Sequence, residues 1–230
     1  AGTGRRAAAL RRALPAAVAV ELLHNFSLIH DDIEDGDESR HHRPTLWRLW
    51  GIPQAINTGD GLFALSRLQL RRLAGSGASA ETRLRVAELF DRTSLELCEG
   101  QFLDLRAEGR RDVTVALYLA MIARKTAALM ACAAEMGARL GAPADEAVAT
   151  RLGEFGRELG LAFQVRDDLL GIWSATELGK STAGDLRRKK MSLPVIHALE
   201  HAAPPDRALL TEIYAEEGPV SDEQIATLLA

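Results

Sequence analysis

The sequence predicts an all-α protein, a single domain over residues 1–230 built as one bundle of long helices. Three observations predict this fold class. Ala, Leu, Arg and Glu are abundant while aromatic residues make up only 5% of the chain, a composition that favours helices over strands. Apolar residues recur at steps of three and four through most of the chain. Turn residues such as Gly75-Ser76-Gly77 separate the periodic segments, and no segment shows convincing strand alternation.

The periodic segments define the predicted helices. The first precedes a loop at residues 36–44, and the others cover residues 54–73, 80–107, 113–140, 145–173 and 221–230. Another helix is predicted to begin at Ser192 and Pro194, because serine is a good N-cap and proline is favoured in a first turn. Gly153, Gly156 and Gly160 lie at steps of three and four, which predicts close packing of their helix against a neighbour.

Net charge and hydropathy argue against a nucleic-acid partner and against a transmembrane segment. The net charge is -4 and the pI is about 5.9, whereas a nucleic-acid-binding domain is expected to carry a basic face. The longest apolar run, residues 14–29, is interrupted by Glu21, His24 and Asn25, so we expect no transmembrane segment. The two cysteines are expected to be unpaired, which favours a cytoplasmic protein.

A first acidic cluster follows the first predicted helix. Its four carboxylates, within five positions, are Asp31, Asp32, Glu34 and Asp35. Because like charges repel, the cluster favours a bound cation, and oxygen ligands suit Mg²⁺. The alternative is a solvent-exposed acidic helix end. The position directly after an apolar helix favours the metal site.

A second acidic pair, Asp167-Asp168, follows Phe163-Gln164 at the end of another apolar helix. If the two acidic segments face each other across a cavity, they can hold several Mg²⁺ ions around one diphosphate. The alternative is again a pair of surface carboxylates. Two acidic segments in matching contexts make coincidence a poorer explanation than it is for either alone.

Cationic side chains are available to bind the same anion, because Lys and Arg pair well with phosphate groups. The candidates are Arg40, His41, Arg43, Lys125, Lys180, Arg187, Arg188, Lys189 and Lys190. Lys125 interrupts a small, apolar helical stretch, so it either extends to solvent or, with Thr126, reaches into a cavity. Lys180 lies in a predicted polar loop at residues 174–188.

Together these residues resemble the trans-isoprenyl diphosphate synthase (polyprenyl synthetase) family, and the similarity extends through most of the chain. The segment from Glu21 to Asp35 is similar to the family's first aspartate-rich motif with its lead-in. Further matches follow in the family's order: Arg40, Arg43-Pro44-Thr45, residues 55–60, Glu99-Gly100-Gln101, Asp104-Leu105, Lys125-Thr126, Phe163-Gln164, Asp167-Asp168, Gly179-Lys180, and Lys190 ahead of Leu193-Pro194. One aspartate-rich motif is a modest signal, whereas this ordered series is specific.

The resemblance implies an isoprenoid synthase type I fold, in which the helices surround a deep central cavity, usually within a homodimer. It implies a Mg²⁺-dependent prenyltransferase that joins isopentenyl diphosphate to an allylic diphosphate head to tail. Three Mg²⁺ ions are expected to bind together with the diphosphate.

Individual roles are implied in the same way. The metal ligands would be Asp31, Asp35 and Asp167, supported by Asp32 and Asp168. Contacts with the allylic diphosphate are implied for Arg40, Lys125, Lys180 and Lys190. The side-chain oxygens of Thr126 and Gln164 would face the developing carbocation, and position 41 would help to bind isopentenyl diphosphate.

Three features depart from the family pattern. Gly171 stands where many relatives have a third aspartate, and His41 stands where a second arginine is common. Either Arg43 compensates for His41 or isopentenyl diphosphate binds more weakly. The chain is also expected to begin after the family's Gly-Gly-Lys-x-x-Arg motif and to stop before its last helices.

The residues before Asp31 predict product length. Phe26 lies five positions earlier, about 7.5 Å along a helix axis, where its ring would form the floor of the prenyl tunnel. Ser27 would leave space beside that ring. An aromatic residue here resembles short-chain synthases, which predicts geranylgeranyl diphosphate (C20), followed by farnesyl diphosphate (C15). The alternative is that Phe26 belongs to the core and another residue sets the length.

Two other functions remain open. A class I terpene cyclase shares the metal-assisted ionisation, but its second motif usually contains Asn and Ser or Thr, unlike Asp167-Asp168. A non-catalytic partner subunit of a synthase would account for the departures at Gly171 and His41. Retention of both acidic segments favours an enzyme, because clustered carboxylates are costly without a role.

Overall fold

The computed structural model describes residues 2–108, 110, 112–141, 145–173 and 183–229. It confirms the all-α fold class. The helices are α1 (Gly2–Glu34), α2 (Leu46–Trp50), α3 (Ile52–Arg71), α4 (Ala80–Ala107), α5 (Val115–Ile122), α6 (Ala128–Gly141), α7 (Glu146–Trp173), α8 (Gly184–Arg187), α9 (Leu193–His201), α10 (Pro204–Ala215) and α11 (Asp222–Leu228). A 3-10 turn at Arg72–Gly75 follows α3, and a π-helical turn at Ala123–Ala127 joins α5 to α6.

The contacts divide the chain into two compact units. The first unit comprises residues 1–98 and 127–158, and the second comprises residues 99–126 and 159–230. In the first unit α1 packs against α3 and α6, and its core includes the fully buried side chains of Leu23 and Phe90. In the second unit, α5 and α9 contribute Ile122 and Ile196 to a separate hydrophobic core.

Glycines on α7 allow close packing within the first unit. A Cβ atom at Gly156 would lie 2.6 Å from the carbonyl oxygen of Met130, and one at Gly153 would lie 2.8 Å from a carboxylate oxygen of Glu135. The close atom at Gly156 belongs to the backbone, so a larger residue there would push α7 away from α6, whereas the close atom at Gly153 ends a side chain that can move. The predicted role in helix packing is confirmed for Gly156.

The structure differs from the sequence-based prediction at residues 36–44, where a loop without strands was expected. Two short strands, β1 (Ser39–Arg40) and β2 (Arg43–Pro44), form an antiparallel hairpin in this segment. His41 and His42 form its tip with φ angles of 49° and 61°. Positive φ at both central residues is typical of the type I′ turn, which is usually recognised by Asn-Gly or Asp-Gly rather than by two histidines.

Four helical features were also missed. No helix was predicted at Leu46–Trp50, and α8 (Gly184–Arg187) lies in the segment predicted as a polar loop. The predicted helix at residues 113–140 is divided by the π-helical turn, and no helix was predicted at Pro204–Ala215. Pro204 and Pro205 occupy the first turn of α10, where a missing N–H costs no intrahelical hydrogen bond. A proline pair therefore begins this helix instead of preventing it.

Two described helical segments, Arg6–Glu34 and Val115–Gly141, are long and apolar enough to span a membrane by length and hydropathy alone. Core helices of soluble proteins pass the same test, so this finding is weak and does not indicate a membrane protein.

We expect Leu23→Ala to lower the free energy of unfolding by about 2–5 kcal/mol, because it removes a fully buried side chain and leaves a cavity. Urea denaturation followed by circular dichroism measures this loss. Leu10→Ala is the matched control on the same helix, since Leu10 is 62% exposed and should change stability by less than about 0.5 kcal/mol. Similar losses in both variants would contradict the placement of Leu23 in the core.

Candidate active site

The first acidic segment lies at the carboxyl end of α1. Asp31 and Asp32 belong to its last turn, and the backbone N–H of Asp35 donates to the carbonyl of Asp31 at 2.8 Å. This bond continues the helical turn, so Asp31 and Asp35 start from the same helix face. Asp32 is buried, whereas Asp35 is exposed. The segment therefore contains one exposed, one half-buried (Asp31) and one buried aspartate.

Arg40 lies against this segment and binds two of its carboxylates. Its Nε donates to Oδ1 of Asp32 at 2.7 Å, and its Nη2 donates to Oδ2 of Asp31 at 3.1 Å. Burial raises the pKa of Asp32, and the Arg40 guanidinium opposes that rise. The structure therefore places Arg40 at the first acidic segment. Its contact with a diphosphate stays a prediction.

Hydrogen bonds to the carbonyl of Asp37 hold the hairpin in this position. The Oγ1 of Thr45 and the Nε1 of Trp47 both donate to that carbonyl, each at 2.8 Å. The hairpin thereby carries Arg40 to the aspartates, which gives the sequence around Thr45 a structural role. His41, at the exposed tip, has the accessibility that the predicted substrate contact needs.

Phe26 and Ser27 lie on α1 before Asp31. The half-buried ring of Phe26 contacts the rings of His30 and Phe63, with centroid distances of 4.7 Å and 5.3 Å. Phe26 also packs against the core of the first unit, and Ser27 donates to the carbonyl of His24 at 2.8 Å. These contacts agree with a tunnel floor and with a plain core residue, so both alternatives for Phe26 stand.

The second acidic segment, near the end of α7, contains two aspartates in different environments. Asp167 is exposed, whereas Asp168 is only 1% exposed. Asp168 accepts three hydrogen bonds, from the hydroxyl of Tyr118 (2.7 Å), the Nε2 of Gln164 (3.1 Å) and the backbone N–H of Leu193 (2.9 Å). These donors engage both oxygens of Asp168, whereas the role of the exposed Asp167 as a metal ligand stays a prediction.

Tyr118 is the buried donor in this group. Burial and the neighbouring Asp168 carboxylate raise the pKa of its phenol well above the usual value. Tyr118 therefore stays protonated and donates to Asp168.

Lys125 and Thr126 lie in the π-helical turn between α5 and α6, an irregularity frequently found at functional sites. Lys125 is paired with Asp104 of α4, and the Oγ1 of Thr126 donates to Oε1 of Gln164 at 2.7 Å. A Cβ at Gly100 would lie 2.6 Å from the Cα of Lys125, so only glycine allows α4 to approach this turn. The turn and Gly100 together set the position of two predicted catalytic residues.

Gly171 faces a carboxylate from another helix. A Cβ at this position would lie 2.7 Å from the Cγ of Asp185, a buried residue of α8. Burial raises the pKa of Asp185, and nearby Lys190 opposes that rise while Asp168 adds to it. Asp185 thus fills the space into which a third motif aspartate would begin to extend. This gives the departure at Gly171 a steric reason.

Of the two other lysines implied to bind diphosphate, the structure describes one, Lys190. Lys190 is exposed, and its backbone N–H donates to the carbonyl of Asp185 at 2.9 Å, which places it beside Asp185. Lys180, the other lysine implied to bind diphosphate, lies outside the described residues.

Carboxylate oxygens are suitable ligands for Mg²⁺. Their number here is sufficient only if a bound ligand supplies further oxygens. Among the described residues, no group of three or more His, Cys, Asp and Glu side chains is arranged to hold a metal ion. Mg²⁺ usually combines one or two carboxylates with water and substrate phosphates instead of occupying an all-protein cage. The exposed Asp35 and Asp167 suit such binding, in which the ion enters together with a diphosphate.

The structure brings the predicted residues together in two sets. Asp31, Asp32 and Arg40 meet in the first unit, and the second unit joins Thr126, Gln164 and Asp168. That the two sets face each other across one cavity stays a prediction.

Three features near the second set are not evident from the sequence. They are the side chain of Tyr118, the side chain of Asp185 and the close backbone contact at Gly100. Tyr118 donates to a residue 50 positions away, and no local pattern reveals such a contact. The sequence offers one signal for Tyr118: the chain contains only two tyrosines, and this one interrupts an apolar helix.

Residues 3–230 match the sequence profile of the polyprenyl synthetase family. The chain is 47% identical over 188 residues to a geranylgeranyl diphosphate synthase of Mycobacterium tuberculosis, covering 81% of this chain and 52% of that protein. It is 43% identical over 220 residues to a (2E,6E)-farnesyl diphosphate synthase of Mycobacterium bovis, covering 94% and 59%. The chain therefore spans somewhat more than half the length of these relatives.

The fold is similar to the crystal structure of a geranylgeranyl pyrophosphate synthetase from Pyrococcus horikoshii. The TM-score is 0.87 at 37% sequence identity, and the match covers 95% of this chain and 65% of the other.

We expect Gly100→Ala to lower the free energy of unfolding by about 1–3 kcal/mol, because the new methyl group overlaps the backbone at Lys125. Gly137→Ala is the control, since an added Cβ there meets no atom within 4 Å. This control should raise stability by about 0.5–1 kcal/mol by removing a glycine from a helix interior. Urea denaturation compares the two, and a stable Gly100→Ala variant would show that the close approach is not required.

Proposed function

The chain belongs to the polyprenyl synthetase family, and on this premise we propose that the protein containing it is a Mg²⁺-dependent prenyltransferase. It condenses isopentenyl diphosphate with an allylic diphosphate head to tail, and releases diphosphate. The observation that carries this proposal is the hydrogen-bonded set of Thr126, Gln164 and Asp168. Lys125 precedes Thr126 in the sequence, and the exposed Asp167 precedes Asp168.

The family is generally Mg²⁺-dependent. When bound, Mg²⁺ supplies electrophilic stabilisation of the leaving diphosphate. We propose that Asp31, Asp35 and Asp167 hold the metal, as three ions with the bound diphosphate, while Asp32 and Asp168 fix the neighbouring aspartates. The burial of Asp32 and Asp168 and the hydrogen bonds they accept support this division of roles.

The protein's cations bind and orient the allylic diphosphate. Arg40, Lys125, Lys180 and Lys190 are the proposed contacts, and His41 is proposed to contact isopentenyl diphosphate. The pairs that Arg40 forms with Asp31 and Lys125 forms with Asp104 keep these cations close to carboxylates until an anion arrives. A diphosphate offers them a more highly charged partner, and charge-assisted hydrogen bonds to phosphate are among the stronger ones in proteins.

Ionisation of the allylic C–O bond leaves a carbocation that needs oxygen lone pairs nearby and no water. We assign the lone pairs to the side chains of Thr126 and Gln164, which share a hydrogen bond of 2.7 Å. The double bond of isopentenyl diphosphate then attacks the cation, and the departed diphosphate takes the proton. Water must be excluded because it would capture the cation.

The proposed product is geranylgeranyl diphosphate, with farnesyl diphosphate as the alternative. The two relatives reported above carry one name of each kind. Phe26, with Ser27 beside it on α1, is the proposed determinant of length. A cytoplasmic homodimer is the proposed form of the protein.

A class I terpene cyclase and a non-catalytic partner subunit are the competing functions, and one assay separates all three. The full-length protein is incubated with Mg²⁺, labelled isopentenyl diphosphate and each allylic diphosphate in turn, and prenyl chain lengths are measured. Elongation supports the synthase. Cyclic hydrocarbon from one primer would instead support the cyclase, and no product from any primer would reject catalysis by this protein.

We expect Asp31→Asn to reduce turnover by at least about 10- to 100-fold and to raise the Mg²⁺ concentration needed for half-maximal rate, because it removes a carboxylate from the proposed metal site. Glu34→Gln is the matched control, since it makes the same change of charge in the same cluster at an exposed residue with no assigned role. Both rates are measured as a function of Mg²⁺ concentration. Equal effects in the two variants would indicate a general loss of negative charge and not a lost ligand.

Phe26→Ala should lengthen the products beyond C20, because it removes the ring proposed to end the prenyl tunnel. Phe26→Tyr, which keeps the ring, should leave the product length unchanged. Chromatography of the hydrolysed products measures both. An unchanged distribution in a folded Phe26→Ala variant would assign Phe26 to the core alone.

A further inference from the structure

We propose that Tyr118 is a positioning residue that acts through Asp168 to fix the orientation of the Gln164 amide and the Thr126 hydroxyl. This inference rests on the proposed function, because its consequence is the stabilisation of a carbocation. The four side chains come from α5, the π-helical turn and α7, and all belong to the second unit. They form a continuous chain of hydrogen bonds from the buried phenol to the hydroxyl of Thr126.

Within this series of hydrogen bonds, the carboxylate of Asp168 is held in one orientation. Asp168 is 1% exposed, and Tyr118 and the N–H of Leu193 both donate to its Oδ2. Its other oxygen, Oδ1, therefore points to Gln164. Leu193 is the first residue of α9, so one of the two donors is a backbone group and the other is the side chain of Tyr118. Tyr118 is the one that a substitution can remove.

The fixed carboxylate selects one orientation of the Gln164 amide. An ionised carboxylate only accepts hydrogen bonds, so the NH₂ group of Gln164 must face Asp168, as it does at 3.1 Å. The opposite orientation would place the amide oxygen against a carboxylate oxygen, which is repulsive and leaves a buried acceptor without a donor. The amide oxygen is thereby directed to Thr126 at 2.7 Å.

The amide oxygen in turn sets the hydroxyl of Thr126. A hydroxyl has one proton to donate, and here that proton is given to Oε1 of Gln164. The two oxygens therefore keep free lone pairs for a ligand: Oγ1 of Thr126 has no proton left to donate, and Oε1 of Gln164 retains the second of its two lone pairs. A positive charge is stabilised by lone pairs and destabilised by N–H or O–H groups. The direction of these hydrogen bonds therefore decides whether the site favours a cation.

Removing the phenol hydroxyl should loosen this arrangement without removing any group that touches the substrate. In Tyr118→Phe the carboxylate loses a donor, and rotation of Asp168 frees the Gln164 amide to turn. The NH₂ group would then spend time toward the cation. The ring of Tyr118, which packs in the hydrophobic core of the second unit, is retained in this variant.

The test is a double-mutant cycle with Tyr118→Phe and Gln164→Leu, using the full-length protein with Mg²⁺, isopentenyl diphosphate and an allylic diphosphate. We expect Tyr118→Phe to lower kcat by about 10- to 100-fold, the range of one hydrogen bond to a charged group, with both KM values changed less than about threefold. Added to Gln164→Leu, the same substitution should have little further effect, because Tyr118 acts through the amide that is already absent.

Tyr214→Phe is the matched control. It changes the other tyrosine of the chain, which packs against the same core and whose buried hydroxyl makes no hydrogen bond with the described residues. Its kcat should equal that of the unsubstituted protein. All rates are measured at a temperature at which circular dichroism shows each variant to be fully folded, so that a stability loss does not enter kcat.

Each outcome bears on a separate statement. An unchanged kcat in Tyr118→Phe would overturn this inference while leaving the proposed function intact. A reduction that multiplies with that of Gln164→Leu would also overturn it, because Tyr118 would then act independently of the amide. Absence of elongation in the unsubstituted protein would overturn the proposed function, and this inference with it.

Discussion

The buried carboxylate of Asp168 is the constraint on which the candidate residues of the second unit depend. A buried charge is costly unless hydrogen bonds replace the water it has lost. Here three donors replace it: the phenol of Tyr118, the amide of Gln164 and the first N–H of α9. Because these donors come from α5, α7 and α9, the requirement to satisfy one charge also fixes the packing of three helices around it.

The first acidic segment follows the same physical principle with a different partner. Asp32 is buried and bound by Arg40, while Asp35 is exposed. In both segments, one aspartate is buried and bound by the protein, and a neighbouring aspartate is exposed. This arrangement supplies few metal ligands by itself, which suits an ion that binds together with the oxygens of a diphosphate.

Glycine positions show how backbone contacts shape the site as strongly as charges do. Gly100 admits α4 to the turn that carries Lys125, and Gly171 admits the carboxylate of Asp185. The contact between Gly171 and Asp185 gives a steric reason for the departure from the family pattern at Gly171. The missing third aspartate of the motif is matched by the carboxyl group of Asp185, which approaches Gly171 from α8.

The sequence by itself determined the helical fold class and the bounds of α4 and α7, because periodicity and spacing are local properties. It also supplied Asp31, Asp35 and Asp167 as candidate metal ligands, a role that stays a prediction. Only the tertiary structure decided the contacts of Tyr118 and Asp185, the π-helical turn and the histidine-tipped hairpin. The reason is physical: a partner 50 residues away, or a Cβ too close to another helix, exists only after the chain has folded and brought distant segments into contact.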